Sequence, residues 1–541
     1  MIRAVVSYLQ KRRWSPVVML AYAAVVVLFA GTFAQFYLPG QGFSYLIAFG
    51  GKNEASRIAA MKGLNYYVQT DSDGYDAQYY AQIAMHPSLR DPELRSAIDS
   101  LPYRARRIFF AATAHALGLG RPAWILQAYA VQNALCWLVL AAVLLHWFPP
   151  TDWDRFGRWV GVLFSFGMCV SLRNALIDGP SLLLIAFGAM CVEKGRPWLA
   201  TLILGASGLA KETNVLGAAA LLRPEERPWR RWLWQGLLVV APLGLWLAYL
   251  QWTVGPATDL GVRNFGWPLA AYVRKWGAVL PELFRAETWS YGLANAGAFW
   301  SLLMVVALTV QLLFLLLRPR PREPMWRIGL SFAVLMVVLG DAVWEGYPGA
   351  ATRVLLPLQL AFNVLVPCGR RWWGVLLLGN ATLFYAPAAL APPLSDGCEL
   401  SGPSGLLTAA DGGRVRVEFG AAWYGTEHLN SRYWHWSRGD ADVRVVNPQR
   451  VPVLATLKFT LSSTDARNLR LVQVGDAELW RGPIADAPTV VELPAVTLRP
   501  GENRFLFTSD RSPVRLASGD PRPLAFCLKN LAIDLQPAPL P

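Results

Sequence analysis

Long stretches without a charged residue are the feature that most restricts how this chain can fold. A helix needs about 20 mostly apolar residues to cross the hydrocarbon core of a bilayer. Charged residues make up only 16% of the chain, against about 25% in soluble domains. We therefore expect a bundle of membrane helices. The stretches long enough to cross alone are Trp14–Gly51, Pro122–Thr151, Trp232–Thr258, Thr288–Leu317 and Trp372–Ser395.

Shorter apolar stretches lie between these and end at charged residues. A charge near membrane depth is costly, so it normally faces a cavity or a partner inside the bundle. These boundary charges are therefore candidates for a functional site. They are Arg173, Asp178, Lys211, Glu212, Asp341 and Arg353.

Basic residues 11–13 precede the first stretch, which we interpret as a retained anchor with a cytoplasmic N-terminus. Alternating crossings then place nearly every compact basic loop in the cytoplasm, provided that Pro197–Leu222 forms a hairpin. This topology predicts about eleven crossings. The boundary charges and a first loop spanning residues 40–121 then lie outside. The net charge of +14 is explained mainly by cytoplasmic loops and does not indicate nucleic acid binding.

The second outer loop, Asp259–Glu287, breaks the positive-inside rule because it carries several basic residues. The positive-inside rule does not explain basic residues on the outer side of the membrane. They would be explained if this loop bound a substrate that carries phosphate. They include Arg263 and Arg274.

The composition changes after Pro392 and Pro393, where apolar and polar residues begin to alternate between turn residues. This pattern predicts a membrane domain over residues 1–392 and an outer all-β sandwich or jelly roll over residues 393–541. Cys398 and Cys527 lie near the two ends of the second domain, and both a disulfide and two thiols remain open. The strand-like runs are Arg414–Phe419, Val443–Val446, Ala455–Leu461, Leu469–Val474, Val490–Leu493, Arg504–Thr508 and Leu524–Leu535.

Aromatic residues are concentrated in one part of the β domain. Trp434 and Trp436 alternate with a period of two and so share one face of a strand. Such a pair can stack on sugar rings, but a buried face of the sandwich is the commoner arrangement. We expect the buried arrangement.

The first outer loop holds the densest polar cluster, with Asp71, Asp73 and Asp76 among aromatic and amide side chains. The spacing of the residues after Asp76 is helical and places this carboxylate in a first turn, where the helix dipole favours its ionised form. An ionised carboxylate beside a substrate hydroxyl can act as a general base. The alternative is that these residues cap a surface helix or form a solvated turn.

Asp76-Ala-Gln-Tyr-Tyr-Ala-Gln-Ile83 resembles the first-loop motif of the GT-C superfamily of membrane glycosyltransferases. Four further segments, in the same order, are similar to elements of that superfamily, and together they cover about the first 370 residues. Ala77 stands where uncharacterised bacterial members have glycine. The four segments are Tyr103–Pro122, Asp178–Leu184, Leu209–Thr213 and Arg353–Leu358.

The resemblance implies transfer of a sugar from a polyprenyl-phosphate donor to a glycan or glycolipid acceptor, usually with inversion. The reaction would take place on the extracytoplasmic face of the bacterial inner membrane. Asp76 takes the role of base and Asp73 is the second candidate. The lipid phosphate is the leaving group, so no nucleotide or other cofactor is expected. A divalent metal on the loop aspartates, which some branches use, remains an alternative.

The leaving phosphate needs cationic partners, and the acceptor needs hydrogen-bonding groups. Structural alternatives exist for several candidates: Asp178 can cap a helix ahead of Pro180, Lys211 and Glu212 can turn a hairpin, and Glu345 can bound a solvated loop. The expected phosphate ligands are Arg353, then Arg173, Lys211, Arg263 and Arg274. The expected acceptor-binding residues are Gln78, Tyr79, Tyr80, Asp178, Glu212 and Glu345.

Two other classes of function compete with the transferase. A transporter or flippase of lipid-linked sugars also needs broken helices and buried charges, but its charges belong near the bilayer centre and its sequence usually shows internal repeats. A non-catalytic subunit of cell-envelope glycan assembly would use the β domain alone.

Overall fold

The computed structural model consists of two compact units, Met1–Pro392 and Pro393–Pro541. The first is helical and the second is rich in β-strands, as predicted. The structure describes residues 14–38, 41–69, 72–222, 229–256, 262–285, 297–346, 349–391, 398–407, 409, 413, 415–429, 432–476, 478–515 and 522–537.

The first helices of the first unit include two that begin with proline, α1 at Pro16 and α6 at Pro122. Proline suits this position because its missing N–H would have no intrahelical partner there. The helices are α1 Pro16–Ala34, α2 Ala77–Met85, α3 Leu94–Ala97, α4 Leu101–Arg104, α5 Ile108–Leu117, α6 Pro122–Leu144, α7 Trp153–Leu163, α8 Phe166–Arg173 and α9 Asp178–Glu193.

The rest of the first unit contains further apolar helices separated by short ones. A 3₁₀ helix, Glu212–Leu221, follows α10, and Lys211 between them has an extended backbone. The helices are α10 Pro197–Ala210, α11 Trp229–Thr253, α12 Ala270–Leu283, α13 Gly297–Leu317, α14 Pro324–Val338, α15 Asp341–Trp344, α16 Ala350–Val354, α17 Leu356–Leu365, α18 Trp373–Gly379 and α19 Ala386–Ala389.

Four of the described helices are long and apolar enough to cross a membrane: α1, α6, most of α11, and α13. Large apolar side chains on α1 and α11 point away from the protein, with Leu20 70% and Leu245 74% exposed. In water such surfaces would be unfavourable, whereas in a bilayer they contact acyl chains. The chain is therefore a membrane protein. The expected count of about eleven crossings is not confirmed, because α10, α14 and α17 fall short of the length that a crossing needs.

The second unit is a sandwich of two mainly antiparallel sheets. Buried and more exposed residues alternate along its strands, as in Ala441–Asn447 and Val453–Ser462, so that one face of each sheet forms the shared core. The sequence also contains one short helix here, α20 Ser404–Leu407. The strands are β3 Cys398–Ser401, β4 Arg416–Phe419, β5 Glu427–Leu429, β6 Arg432–Trp436, β7 Ala441–Asn447, β8 Val453–Ser462, β9 Arg467–Gln473, β10 Glu478–Ile484, β11 Thr489–Leu498, β12 Gly501–Ser509, β13 Val514–Arg515, β14 Pro523–Leu524 and β15 Cys527–Gln536; β1 Phe49–Gly50 and β2 Val68–Gln69 belong to the first unit.

The order of strands in the five-stranded sheet is β10-β9-β12-β7-β4, and in the larger sheet it is β11-β8-β15-β6-β5 with β3 beside β15. Cys398 pairs with Leu531 of β15 rather than with Cys527. The two sulfur atoms are not joined to each other. The alternative of a disulfide that closes this domain is therefore wrong.

The prediction that Trp434 and Trp436 face the core is also wrong. His435 between them is the buried residue, 3% exposed, and its ring stacks on Phe419 with the centroids 3.7 Å apart. Both tryptophans are partly exposed and lie on the opposite face of β6. A period of two shows which residues share a face but not which face is inside.

Burial of His435 predicts a pH dependence of the stability of the β unit. Burial lowers the pKa of the imidazole to about 4, although the Tyr424 carbonyl opposes the change. In the unfolded chain the same group protonates near pH 6.5. The unfolded state therefore binds more protons between these values, and stability decreases by about 3 kcal/mol as the pH falls from 7 to 4. Hydrogen exchange of β6 peptides in the full-length protein measures this change.

The control is His435→Phe, which keeps a ring in the core and cannot titrate. We expect the variant to lose the part of the pH dependence that falls between pH 6.5 and 4. An unchanged dependence in the variant would contradict the assignment to His435.

Candidate functional site

A cavity of about 750 Å³ lies in the first unit where several helices end. Its wall is formed by the start of α2, the turn after α4, the start of α9, the junction after α10 and the segment from α14 to α16. Helix ends bring polar side chains and backbone groups together, while the helix bodies supply apolar walls. The charged residues that line the cavity are Asp76, Arg106, Arg107, Asp178, Lys211, Glu212 and Arg353.

Asp76 lies immediately before α2, as the sequence spacing predicts. The turn that carries it packs against Gly50, where a Cβ would come within 2.2 Å of the backbone at Asp73 and Gly74. Gly74 has φ +73, a value that glycine adopts without strain. The Gln78 side chain joins the two segments by accepting from the Gly50 N–H and donating to the Asp73 carbonyl. Two glycines and one amide therefore fix the position of Asp76.

The Asp76 carboxylate is 32% exposed and has one ion pair among the described residues, with Arg104 at 3.0 Å. Arg104 also binds Asp99 at 2.7 Å and lies over the Tyr79 ring. Burial alone would lower the pKa of Arg104, but the hydrogen bond to Asp99 and the nearby carboxylates hold it above its ordinary value. The arginine therefore keeps its charge and contacts one oxygen of Asp76, which leaves the second carboxylate oxygen available.

Asp178, at the start of α9, binds two cations at once. Its oxygens contact Lys211 Nζ at 2.5 Å and Arg353 Nη1 at 3.1 Å, and all three side chains are at most 10% exposed. We call Asp178, Lys211 and Arg353 the ion triad. The side chain does not cap the helix, so the capping interpretation is wrong. Because one carboxylate faces two cations, the triad carries an excess positive charge.

Arg353 also connects the ion triad to the first outer loop. Its Nη2 donates to the Tyr75 hydroxyl at 3.1 Å. Burial raises the pKa of Tyr75 to about 12, so the phenol keeps its proton at neutral pH. Tyr75 precedes Asp76 in the chain, and this contact brings the carboxylate and the triad to the same cavity.

A second ion pair lies in the wall of the same cavity. Arg107 Nε donates to Glu212 at 2.9 Å, and the rest of the guanidinium binds the hydroxyls of Tyr80 and Tyr103 at 3.0 and 3.2 Å. Asn264 also donates to the Tyr103 hydroxyl. Glu212 is therefore neutralised by a buried arginine rather than serving only to turn a hairpin.

Arg106 differs from the other lining cations. Its guanidinium lies 5.8 Å from the Tyr103 ring centroid, and it has no ion pair among the residues that the structure describes. The lining carries four cations against three carboxylates. Arg106 and the ion triad together supply positive charge that no carboxylate in the wall balances.

Several residues predicted for the site lie outside the cavity. Asp73 is 80% exposed and pairs with Lys52 at 3.7 Å, and Arg173 binds the Tyr45 hydroxyl at 2.7 Å. Arg274 makes an exposed pair with Asp341, and Glu345 pairs with Lys275. Each of these four predicted site residues therefore binds a partner that lies outside the cavity lining. Gln78, Tyr79 and Arg263 are also absent from the lining, although Asn264 and Phe265, which follow Arg263, belong to it.

Sequence reasoning missed the cations of the first loop. Arg106 and Arg107 line the cavity and Arg104 holds Asp76, but none was predicted as a site residue. The signal was available, because three arginines close together in an outer loop break the positive-inside rule. No comparable pattern in the sequence identified Tyr75 and Tyr103 as residues of the cavity lining.

A metal site is not formed by the described residues. They contain no group of three or more histidine, cysteine, aspartate or glutamate side chains placed to hold an ion. Asp71, one of the three loop aspartates considered for a metal, lies outside the described residues.

The arrangement is suited to a proton transfer beside an anionic leaving group. A partly exposed carboxylate can take a proton from a hydroxyl within hydrogen-bond reach. Cations held in the wall of the same cavity stabilise negative charge that develops on the leaving group. Leu335 and Leu339 supply an apolar part of the cavity wall.

Comparison with known proteins adds little to this geometry. Neither protein-family models nor curated proteins match the sequence. Among solved structures, the arabinosyltransferase EmbB from Mycobacterium smegmatis matches over 95% of this chain and 64% of its own, with 12% identity and a TM-score of 0.26. The chain thus spans less than two thirds of the length of that protein. At this TM-score the match assigns no activity and no residue role.

The ion triad predicts a large loss of stability when its carboxylate is neutralised. Asp178→Asn leaves Lys211 and Arg353 buried beside each other without a counter-charge, which costs about 3–5 kcal/mol. The thermal midpoint of the detergent-solubilised protein should fall by several degrees. Asp341→Asn is the matched control, because its pair with Arg274 is about 60% exposed on both sides and contributes roughly 1 kcal/mol or less. Equal shifts in both variants would contradict a structural role for the triad.

Proposed function

We propose that this protein is an inverting membrane glycosyltransferase of the GT-C type. It transfers a sugar from a polyprenyl-phosphate donor to a hydroxyl of a glycan or glycolipid on the extracytoplasmic face of the bacterial inner membrane. The observation that carries the proposal is the cavity that holds Asp76 together with Arg106 and the ion triad. The five motifs that resemble the GT-C superfamily support the same reaction class.

Asp76 acts as the general base in this mechanism. As the acceptor oxygen bonds to the anomeric carbon, its proton passes to the Asp76 carboxylate. The bond between that carbon and the phosphate oxygen breaks on the opposite side, and the electron pair leaves with the lipid phosphate. One displacement of this kind inverts the anomeric configuration. Asp73 does not line the cavity, so the proposal gives it no part in proton transfer.

The leaving phosphate gains negative charge during the reaction, from a diester to a monoester of about −1.5 to −2. Arg106 has no carboxylate partner among the described residues, and Lys211 and Arg353 share a single one. These cations are the proposed phosphate ligands. Because Asp178 already holds Lys211 and Arg353 in place, these two cations stabilise the transition state without rearrangement.

Asp178 and Glu212 have positioning roles in this mechanism. Asp178 holds Lys211 and Arg353 together despite their like charge, and Glu212 orients Arg107. The hydroxyls of Tyr80 and Tyr103 accept from Arg107 and can donate their own protons to a bound sugar.

Replacement of the base tests the proposed reaction. Purified Asp76→Asn in lipid nanodiscs should transfer sugar at least 100-fold more slowly than wild type, since the amide cannot accept the proton. The assay uses a panel of radiolabelled polyprenyl-phosphate pentoses and hexoses with lipid-extracted envelope glycans as acceptors. Asp73→Asn, which removes the same charge three residues away, should transfer at about the wild-type rate. Full activity of Asp76→Asn would contradict the base assignment. Flipping of the labelled lipid in proteoliposomes, without transfer, would favour a transporter.

Replacement of Arg106 tests the phosphate site. Arg106→Gln should lower kcat roughly 10- to 100-fold, because it removes a fixed charge beside the leaving group. Arg274→Gln removes the same charge from an exposed ion pair outside the cavity and should leave kcat close to wild type. Single-turnover transfer measurements separate this effect from substrate binding. A larger loss in Arg274→Gln would move the phosphate site to the second outer loop.

A further inference from the structure

The outer face of the six-stranded sheet in the β unit has an ordered row of polar and aromatic side chains. Strand pairing places Glu427 opposite Trp434, Trp434 opposite Lys529, and Lys529 opposite Thr460. Residues paired directly across strands have their side chains on the same face. We call these four residues the outer row. His435 points into the core, so the outer row faces away from it.

The indole of Trp434 is held in a fixed orientation. Its Nε1 donates to Glu427 Oε2 at 3.0 Å, and Arg522 Nη1 pairs with the other oxygen of that carboxylate at 2.7 Å. Trp436 lies two residues along the same strand and is partly exposed too. A side chain that is fixed before a ligand arrives loses little entropy when it binds one.

Positive charge surrounds this part of the face. The guanidinium carbons of Arg438 and Arg522 lie 4.5 and 4.8 Å from the centroid of the Tyr424 ring. Neither Lys529 nor Arg438 forms an ion pair within the described part of the chain. Of these charged groups, Glu427 is balanced by Arg522, while Lys529 and Arg438 contribute positive charge that it does not balance.

We propose that the outer row binds a glycan chain that carries negative charge, from carboxylate or phosphate groups. The apolar face of Trp434 suits the C–H face of a sugar ring, while Glu427 and Thr460 can bind ring hydroxyls. Lys529 and Arg438 contact the anionic groups. Neighbouring strands are about 4.8 Å apart, a spacing comparable to one sugar ring, so successive rings can meet successive side chains of the row.

This binding site lies in a different unit from the cavity and does not depend on the transferase reaction. If the proposed function is correct, the site holds an acceptor glycan. If the proposed function is wrong, the site still binds the same class of glycan. A direct binding measurement therefore fails or succeeds independently of any measurement of transfer.

The test uses the full-length protein in nanodiscs on an array of immobilised neutral, uronic-acid-containing and phosphate-bearing oligosaccharides, followed by biolayer interferometry with the bound members. We expect saturable binding to anionic members that weakens with salt. Trp434→Ala should raise Kd roughly tenfold or more, whereas Trp434→Tyr, which keeps an aromatic face, should retain most of the affinity. Lys529→Ala should raise Kd for anionic members and reduce the dependence on salt.

Two control variants locate the site. Trp480→Ala removes a partly exposed tryptophan from the other sheet and should leave Kd unchanged. Asp76→Asn should bind glycan as wild type does even where it no longer transfers sugar.

Three results would overturn the proposal. They are the absence of saturable binding to any array member, an equal loss of affinity in Trp480→Ala, and equal affinity for neutral members with no effect of Lys529→Ala.

Discussion

The contact of one buried carboxylate with two buried cations determines the shape of the candidate site. Asp178, Lys211 and Arg353 are distant in sequence and belong to three different helix ends. Two cations would repel each other in a pocket of low polarity, and removing them from water is costly. The Asp178 carboxylate offsets the repulsion between the two cations. The remaining positive charge is available to an anionic substrate. The same three side chains therefore contribute to packing of the first unit and to the proposed binding of a phosphate.

The second carboxylate of functional interest has a different environment. Asp76 is partly exposed and has a single arginine partner, whereas Asp178 is almost fully buried between two cations. Two carboxylates in different surroundings can take different roles in one site. Asp178 holds two cations together and has no oxygen to spare, while the second oxygen of Asp76 is available to a substrate hydroxyl. The turn on Gly50 and Gly74 keeps the two groups on the same cavity.

The sequence predicted the features that depend on periodicity and on the cost of burying charge. Apolar stretches became helices, alternating stretches became strands, and four of the six boundary charges line one cavity. Partner choice was not predictable, because Arg173 and Arg274 satisfy the same charge pattern as Arg353 but bind Tyr45 and Asp341. The number of crossings was not predictable, because short apolar stretches became helices such as α10 and α14 that fall short of the length that a crossing needs. Alternation likewise paired Trp434 with Trp436 without showing that His435 was the inner residue.

The central claim is that one cavity holds both the base and the phosphate ligands. A cryo-EM structure of Asp76→Asn with a polyprenyl-phosphate sugar tests this claim most directly. The account predicts phosphate density within hydrogen-bond distance of Arg106 and of Lys211 or Arg353, with the sugar between the phosphate and residue 76. Phosphate density beside Arg274, or a sugar that does not approach residue 76, would contradict it.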